Sequence, residues 1–297
     1  MSIKVAIATS MDELTPSDCA LAAALVRRGC EVCSAIWSDP IQPWRAFDAV
    51  VVRSCWDYHL RVEAFLKWIA NLEAEGVTVV NSPELIRWNA DKSYLAELAA
   101  KGVRVPETIV VAPGIELDLA DVCSTRGWSS AVVKPRISAS AYQTERRDSG
   151  VVRGPVLVQE YVAAIESSGE WSLLYVDGQY SHSVIKKPRA GDFRVQKEFG
   201  GSVREAKAPS AAVHFAGTVM EKLKWPSVFA RVDVITDHRG VWLMELELIE
   251  PELFLDLAPE SASRLASAIV NRISQAGATA TCNGSAATRK STPNCVP

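Results

Sequence analysis

Histidine is scarce: the 297-residue chain has four, at 59, 182, 214 and 238. None falls in an HxxxH or HxxE spacing, so no zinc site is expected. No apolar run approaches the roughly 18 residues that a membrane span needs. The N-terminal MSIKVAIATS is too short in its apolar run, and lacks the cleavage pattern, for a signal peptide. A formal net charge of −3 shows no bias toward nucleic acid. Neither GxGxxG nor GxxxxGK[ST] occurs, and the first strand-to-helix turn, ATSMDELTPSD, has no glycine. The common glycine-rich phosphate loops are therefore excluded. The seven cysteines, at 19, 30, 33, 55, 123, 282 and 295, are scattered and odd in number, which suggests reduced thiols in the cytoplasm. Cys30 and Cys33 lie three apart in an apparent strand, so they face opposite ways and a redox pair is not expected. No internal repeat is visible. What remains is a cytoplasmic protein with a small-molecule partner and neither membrane nor nucleic acid; a homo-oligomer stays open.

What is present alternates strand and helix. Apolar residues make up 48% of the chain, enough to bury a full core in two or three lobes. Strand 3–9 leads to Thr15-Pro16, an N-cap and first helical residue, and a helix ending at Gly29. Strands 31–36, 48–53 and 77–80 and a helix over about 60–75 complete a parallel α/β lobe. Ligands on such lobes sit beyond the carboxyl ends of the strands. Arg53, Trp56 and Asp57 lie at such an end, where Trp56 reads equally as loop packing or substrate contact.

The stretch 81–111 starts one helix at Ser82-Pro83 and another near Asn89 or Asp91. Lys92 then falls in a first helical turn. A cation there opposes the helix dipole by about 0.3–1 kcal/mol, a cost that an anionic ligand reverses; taken alone it reads as a surface lysine. Residues 131–135, AVVKP, put Lys134 at the end of an apolar strand. VLVQEYV follows at 156–162, then a hairpin over 171–188 with Asp177-Gly178 at its turn. The polar stretch 189–202 reads as a mobile loop, 211–224 as a helix, and residues from Gly277 on as a disordered tail.

The last hairpin, 228–248, and the segment after it carry the most informative run, GVWLMELELIEPELFLDL. Alternation places Glu245 and Glu247 on one face with Leu243, and Met244, Leu246 and Leu248 on the other. A turn centred on His238 pairs residue 233 with 243 and 231 with 245, so Arg231, Asp233, Glu245 and Glu247 share one face. Carboxylates crowded into an apolar run repel one another and are costly to desolvate. A hard cation such as Mg²⁺, which takes one or two carboxylates together with phosphate oxygens, relieves both; this is favoured over a solvated, salt-bridged face.

The order of these features resembles the ATP-grasp superfamily, in the branch around glutathione synthetase and the glutamate ligases. The resemblance spans roughly 1–275. It implies a pre-grasp α/β domain over 1–88, a central ATP-grasp lobe over 89–160, a C-terminal lobe with the metal site over 161–275, and a tail over 276–297. By residue, it implies ATP lysines at Lys92 (in NADKSYL) and Lys134, and an adenine-facing hinge at Gln159, Glu160, Tyr161 and Val162. It further implies a ribose ligand at Glu166, metal ligands at Asp233, Glu245 and Glu247, and catalytic cations at Arg194, in GDFR, and Arg231. Two departures stand out. The family's glycine-rich loop after the second lysine is RISASAYQT here, with Ser and Ala replacing the residues that allow closest backbone approach to phosphate. The usual metal-binding Asn is Glu247, which adds a negative charge.

Within the superfamily, the runs RSCWDYH, NSPELIRWNADKSYL and ELELIEPELFL look most like the cyclo-ligases that close O-ureido-D-serine to D-cycloserine. The resemblance thus implies an ATP- and Mg²⁺-dependent carbon–nitrogen ligase acting on an amino-acid-like substrate faced by Arg53, Trp56 and Asp57. Loops 137–150 and 189–202 are expected to cover it. An intermolecular amino-acid or peptide ligase, or a nucleotide-binding module without turnover, are the alternatives.

Overall fold

The computed structural model describes residues 2–286, with side chains described through residue 276. The first lobe is built on four parallel strands, β1 (Lys4–Thr9), β2 (Glu31–Ile36), β3 (Ala49–Val52) and β4 (Thr78–Val80), in the order β2-β1-β3-β4. Helix α1 (Pro16–Val26) starts where expected: the Thr15 side chain accepts from Asp18 N–H at 3.1 Å. Alternate residues of β1 serve two cores. Val5 and Ile7 pack with Leu21 and Leu25 of α1, while Ala6 and Ala8 pack with Phe65 and Ile69 of helix α2 (Val62–Ala74). Cys30 is buried and Cys33 exposed.

Helices α3 (Pro83–Asn89) and α4 (Tyr94–Ala100) follow. Next come β5 (Thr108–Val111), β6 (Glu116–Asp118), α5 (Leu119–Arg126), β7 (Ala131–Pro135), β8 (Glu145–Arg147), β9 (Val151–Arg153) and β10 (Val156–Glu160). They form an antiparallel sheet β5-β10-β7-β8, a small β6-β9 ribbon, and a core of Val111, Leu119, Trp128 and Val158. Although α4 lies within the stretch expected as the central lobe, Leu95 and Leu98 pack with Val232 and Leu246 further along the chain.

The third sheet is β13-β12-β11-β14-β15. It comprises β11 (Glu170–Val176), β12 (Gln179–Lys187), β13 (Ser202–Glu205), β14 (Phe229–Asp237) and β15 (Gly240–Glu247), with helix α6 (Ala164–Ser168) before it and α7 (Ser210–Glu221) on one face. The β11–β12 hairpin turns at Asp177-Gly178, both at positive φ, as a two-residue hairpin loop requires. Helix α8 (Pro259–Ala286) packs its Leu265 and Ile269 into the core that holds α1. It continues past the expected start of the tail at 276. Alanine-rich sequence extends a formed helix readily, because each added residue gains a bond without a new nucleus. The rest of that expected tail, 287–297, lies outside the described residues.

The last hairpin corrects the expected register. Its turn has two central residues, so Asp237 pairs with Gly240 and Val234 with Leu243; a bulge then shifts the ladder, and Asp233 pairs with Glu245 and Arg231 with Glu247. The bulge absorbs Met244 as the extra residue. Leu243, Leu246 and Leu248 therefore share one core, while Met244 joins the opposite face with Ile235 and Trp242. The expected alternation is wrong for Leu243 and Met244. The net shift for the acidic pair is two residues, an even number, so Arg231, Asp233, Glu245 and Glu247 still share a face.

Candidate active site

A cleft of about 530 Å³ opens between the three sheets. Lys134 and Gln159 enter it from the central sheet, Lys186, Arg231, Glu245 and Glu247 from the third sheet, and Trp56 and Tyr58 from the first lobe. Alternation explains Lys134: Ala131 and Val133 fill the core of the central lobe, which turns Val132 and Lys134 toward the cleft.

Lys92 is not a surface lysine. It is 8% exposed and its ammonium is ion-paired with Glu245. Its backbone N–H donates to the Arg136 carbonyl at 2.8 Å, and the Arg136 guanidinium pairs with Asp91, so the linker is stitched to the end of β7. Burial works against the Lys92 charge, but Glu245 outweighs it and holds the ammonium above its ordinary value. Lys134 differs. No carboxylate pairs with it among the described residues, and burial pulls its ammonium down to about 8, with Glu245 opposing.

The carboxylates separate into two layers. Glu245 and Glu247 line the cleft, Glu247 paired with Arg231. Burial raises the Glu247 carboxyl to about 7, with Arg231 acting in the opposite direction. Asp233 departs from the expected triad. It is 2% exposed and held from behind by Ser172 Oγ at 2.6 Å, Lys186 Nζ at 3.0 Å and the Arg231 guanidinium at 3.0 Å. Burial would raise its carboxyl, but Arg231 and Lys186 more than offset that and keep it well below the usual range. Among the described residues, no three acidic, histidine or cysteine side chains converge on a metal-sized gap. Two cleft carboxylates nevertheless suit a Mg²⁺ that brings phosphate oxygens with it.

The hinge residues divide. Gln159, Tyr161 and Val162 line the cleft, and Val162 N–H has no hydrogen-bond partner among the described residues. Glu160 points elsewhere, paired with Arg239 at 2.8 Å. Glu166 is exposed on α6, paired with Arg146 at 2.9 Å and accepting from the Tyr161 hydroxyl. Arg194 lines the cleft, held by Asp192 at 2.8 Å and stacked over Phe199 at 3.7 Å.

Of the three residues expected to face substrate, the cleft receives Trp56 alone. Arg53 is 1% exposed and turned toward α1, its Nε donating to Asp18 at 2.9 Å. A strand-end arginine is long enough to reach a buried helix-terminal acid, and once there it cannot leave without stranding that acid. Asp57 accepts from Trp37 Nε1 at 2.8 Å and pairs with Arg61.

Sequence reasoning missed Lys186, which lines the cleft and bridges Glu170 at 2.5 Å and Asp233 at 3.0 Å. Its signal was available: VIKKP repeats the apolar-strand, lysine, proline ending of VVKP. Also unforeseen is the shape of the loop after Lys134. Ser140, Ala141 and Gln143 all have φ near +50°, the left-handed conformation that glycine adopts freely. Ser138 to Ala141 line the cleft, so the backbone keeps a glycine-like path where glycine is absent.

Residues 5–81 match the family model described as the N-terminal domain of D-cycloserine synthetase DcsG. Over 270 residues the chain is 31% identical to the cycloserine biosynthesis protein DcsG of Streptomyces lavendulae, covering 82% of this chain and 88% of that protein. The crystal structure of D-cycloserine synthetase DcsG matches with a TM-score of 0.78 at 28% identity, covering 91% of this chain and 99% of that one. The D-alanine–D-alanine ligase of Bacillus anthracis complexed with ATP shares the fold at 14% identity, with a TM-score of 0.64 and coverage of 92% and 98%. Fold and relatives together define an ATP-grasp ligase, an ATP-dependent enzyme of carbon–nitrogen bond formation. Within that class, the chain belongs to the D-cycloserine synthetase DcsG family.

Proposed function

We propose that the protein closes O-ureido-D-serine to D-cycloserine at the expense of ATP. The substrate carboxylate attacks the γ-phosphorus, giving an acyl phosphate and ADP. The nitrogen bonded to the side-chain oxygen of the same molecule then attacks the acyl carbon and expels phosphate, closing a five-membered ring. Water removes the carbamoyl group as carbon dioxide and ammonia. Intramolecular attack needs no second amino-acid pocket, only a site that bends the substrate and excludes bulk water.

The observation that carries this reading is the unpaired Lys134 in the cleft wall, beside the Lys92–Glu245 pair and on the same sheet as β10, the strand that leads into the Val162 hinge. A half-buried ammonium without an anion invites one, and a triphosphate supplies it. Val162 N–H and the neighbouring hinge would receive the adenine edge. Lys92 and Lys134 would hold phosphates, with Arg194 and Arg231 offsetting the charge that spreads during transfer. Glu245 and Glu247 would hold Mg²⁺, which when bound neutralises triphosphate charge; Asp233 supports them by fixing Arg231 and Lys186. The likeness to DcsG over most of the chain supports ring closure over intermolecular ligation.

Incubation with Mg·ATP and O-ureido-D-serine, with and without a second amine, tests the reading. Ring product and phosphate without added amine are expected. Phosphate release that depends on the amine would replace cyclisation with intermolecular ligation, and nucleotide binding without phosphate release would remove the catalytic reading.

A further inference from the structure

One carboxylate in the cleft has no use in the scheme above. Glu250 lies three residues beyond Glu247, where the chain leaves β15. It is 9% exposed, yet its surface opens into the cleft. The other fully buried or ion-paired acids there have cations: Glu245 has Lys92, Glu247 has Arg231, Asp233 has Arg231 and Lys186, and Glu170 has Lys186, while the carboxylate of half-buried Glu252 instead accepts from Phe254 N–H. Among the described residues Glu250 forms no ion pair and no other side chain donates to its carboxylate; only its own backbone N–H bonds it, and the Lys92 charge acts on it from beyond contact. Burial, with Glu247 adding to it, pushes this carboxyl up to about 8.

The turn that carries it is fixed from several sides. The Glu250 carbonyl accepts from Trp56 Nε1 at 3.2 Å. Glu252 accepts from Phe254 N–H at 2.8 Å, and Phe254 is held at φ +50°. Leu255 N–H donates to Ser17 Oγ at 3.1 Å. A backbone held in the left-handed region by a residue with a bulky side chain persists only where its surroundings over-determine it. The carboxylate is therefore presented to the cleft from a fixed turn, pinned to Trp56 of the first lobe through the Glu250 carbonyl.

From this arrangement we infer that Glu250 is the specificity-determining residue that receives the α-ammonium of an amino-acid substrate. The inference rests on the proposed ligase reading for the identity of the substrate. In an α-amino acid the ammonium is on the carbon next to the carboxylate that is phosphorylated. A group that recognises it must be an anion close to the phosphate-binding side chains and not already neutralised by one of them. Glu250 meets both conditions. An incoming ammonium supplies the missing partner and favours the ionised carboxylate. A carboxylic acid lacking the amino group would leave Glu250 unpaired, and binding sites reject ligands that leave a buried polar group unsatisfied.

The test uses full-length protein with Glu250→Gln, which keeps size and removes charge, and Glu250→Asp, which keeps charge. Phosphate release is followed against O-ureido-D-serine at saturating Mg·ATP, then against Mg·ATP at saturating amino acid. Loss of one charge-assisted contact predicts that the glutamine variant raises KM for the amino acid about 10- to 100-fold, leaves KM for Mg·ATP within about twofold, and is partly rescued by aspartate. N-acetylated substrate should lose the same factor in the wild type and nothing further in the variant. A raised KM for Mg·ATP with the amino acid unaffected would assign Glu250 to the metal instead and overturn the inference, as would no change in either.

Calorimetric binding of O-ureido-D-serine, D-serine and D-alanine in the presence of ADP separates the two readings. Amino-acid binding that depends on Glu250 without phosphate release keeps this inference and overturns the ligase reading. Phosphate release that is as fast with an N-acetylated substrate keeps the ligase and overturns the inference. If no amino acid binds, both fall.

Discussion

Asn89 closes the open edge of β15 at Leu246. Its side-chain amide donates to the Leu246 carbonyl at 2.8 Å, and its side-chain oxygen accepts from Leu248 N–H at 2.8 Å. The Tyr94 hydroxyl accepts from Leu246 N–H at 3.0 Å, and Asn81 donates to the Leu248 carbonyl at 2.7 Å. β15 is the last strand of its sheet, so side chains from helices α3 and α4 and from the segment before them replace the missing neighbour. These bonds set the height of Glu245 and Glu247 in the cleft. Asn89→Ala leaves two buried backbone groups without partners, which costs about 1–3 kcal/mol each when uncompensated. Chemical denaturation should show a destabilisation of that order, with a drop in phosphate release larger than the fraction unfolded explains.

Glu245→Gln removes the partner of Lys92 and one of the two carboxylates proposed to hold Mg²⁺. Glu245 is partly open to the cleft, with 26% of its side chain exposed, so the fold should survive with a near-normal melting curve. Turnover should fall by about 100-fold or more, the scale of losing an electrostatic group aimed at the transition state. Unchanged turnover would withdraw the metal role proposed for Glu245.

Lys134 makes nucleotide affinity depend on pH. Its ammonium titrates at about 8 in the free protein, and a phosphate brought beside it favours the charged form and raises that value. At about pH 9 binding must therefore take up a proton, and affinity for ATP falls as pH rises through 8; well below 8 the group is already charged and adds no slope. Calorimetry in two buffers of different ionisation heat measures the uptake. Lys134→Met should bind ATP more weakly at neutral pH and show no proton uptake assigned to this group.

Ala141 sits at φ +54°, a conformation that costs a non-glycine residue about 1–2 kcal/mol. Ala141→Gly should thus stabilise the protein by up to about 1 kcal/mol while leaving KM for ATP unchanged, since the backbone path is the same. Ala141→Val, branched at Cβ, should destabilise it. A stability loss from glycine, seen in thermal denaturation, would mean the loop takes another shape in solution.

Local signals carried most of the fold. Thr15-Pro16, Ser82-Pro83 and Asp177-Gly178 each open an element or close a turn where capping and turn chemistry place them. The acidic face was legible for a similar reason, because an even shift in register preserves sidedness. Legibility failed where distant partners decide. The bulge at Met244 depends on how β14 meets β15, and nothing within GVWLMELE marks it. Arg53 went astray because the attraction of Asp18 lies thirty-five positions away in the chain. Glu250 stood in the acidic run from the start, but only the ion pairs of Glu245 and Glu247 and the backbone cap made by Glu252 reveal that its carboxylate is left over.

The contact between α1 and α8 has a mechanical consequence. Arg28 reaches Ser263 and Ser267 at 3.0 and 2.6 Å, and the flanking apolar faces share one core with β11 and β12. The first and third sheets are thereby clamped into a single block. Any widening of the cleft to admit nucleotide would fall to the central sheet, and would have to part the Arg136–Asp91 and Glu160–Arg239 ion pairs that tie it to the linker and to the β14–β15 hairpin.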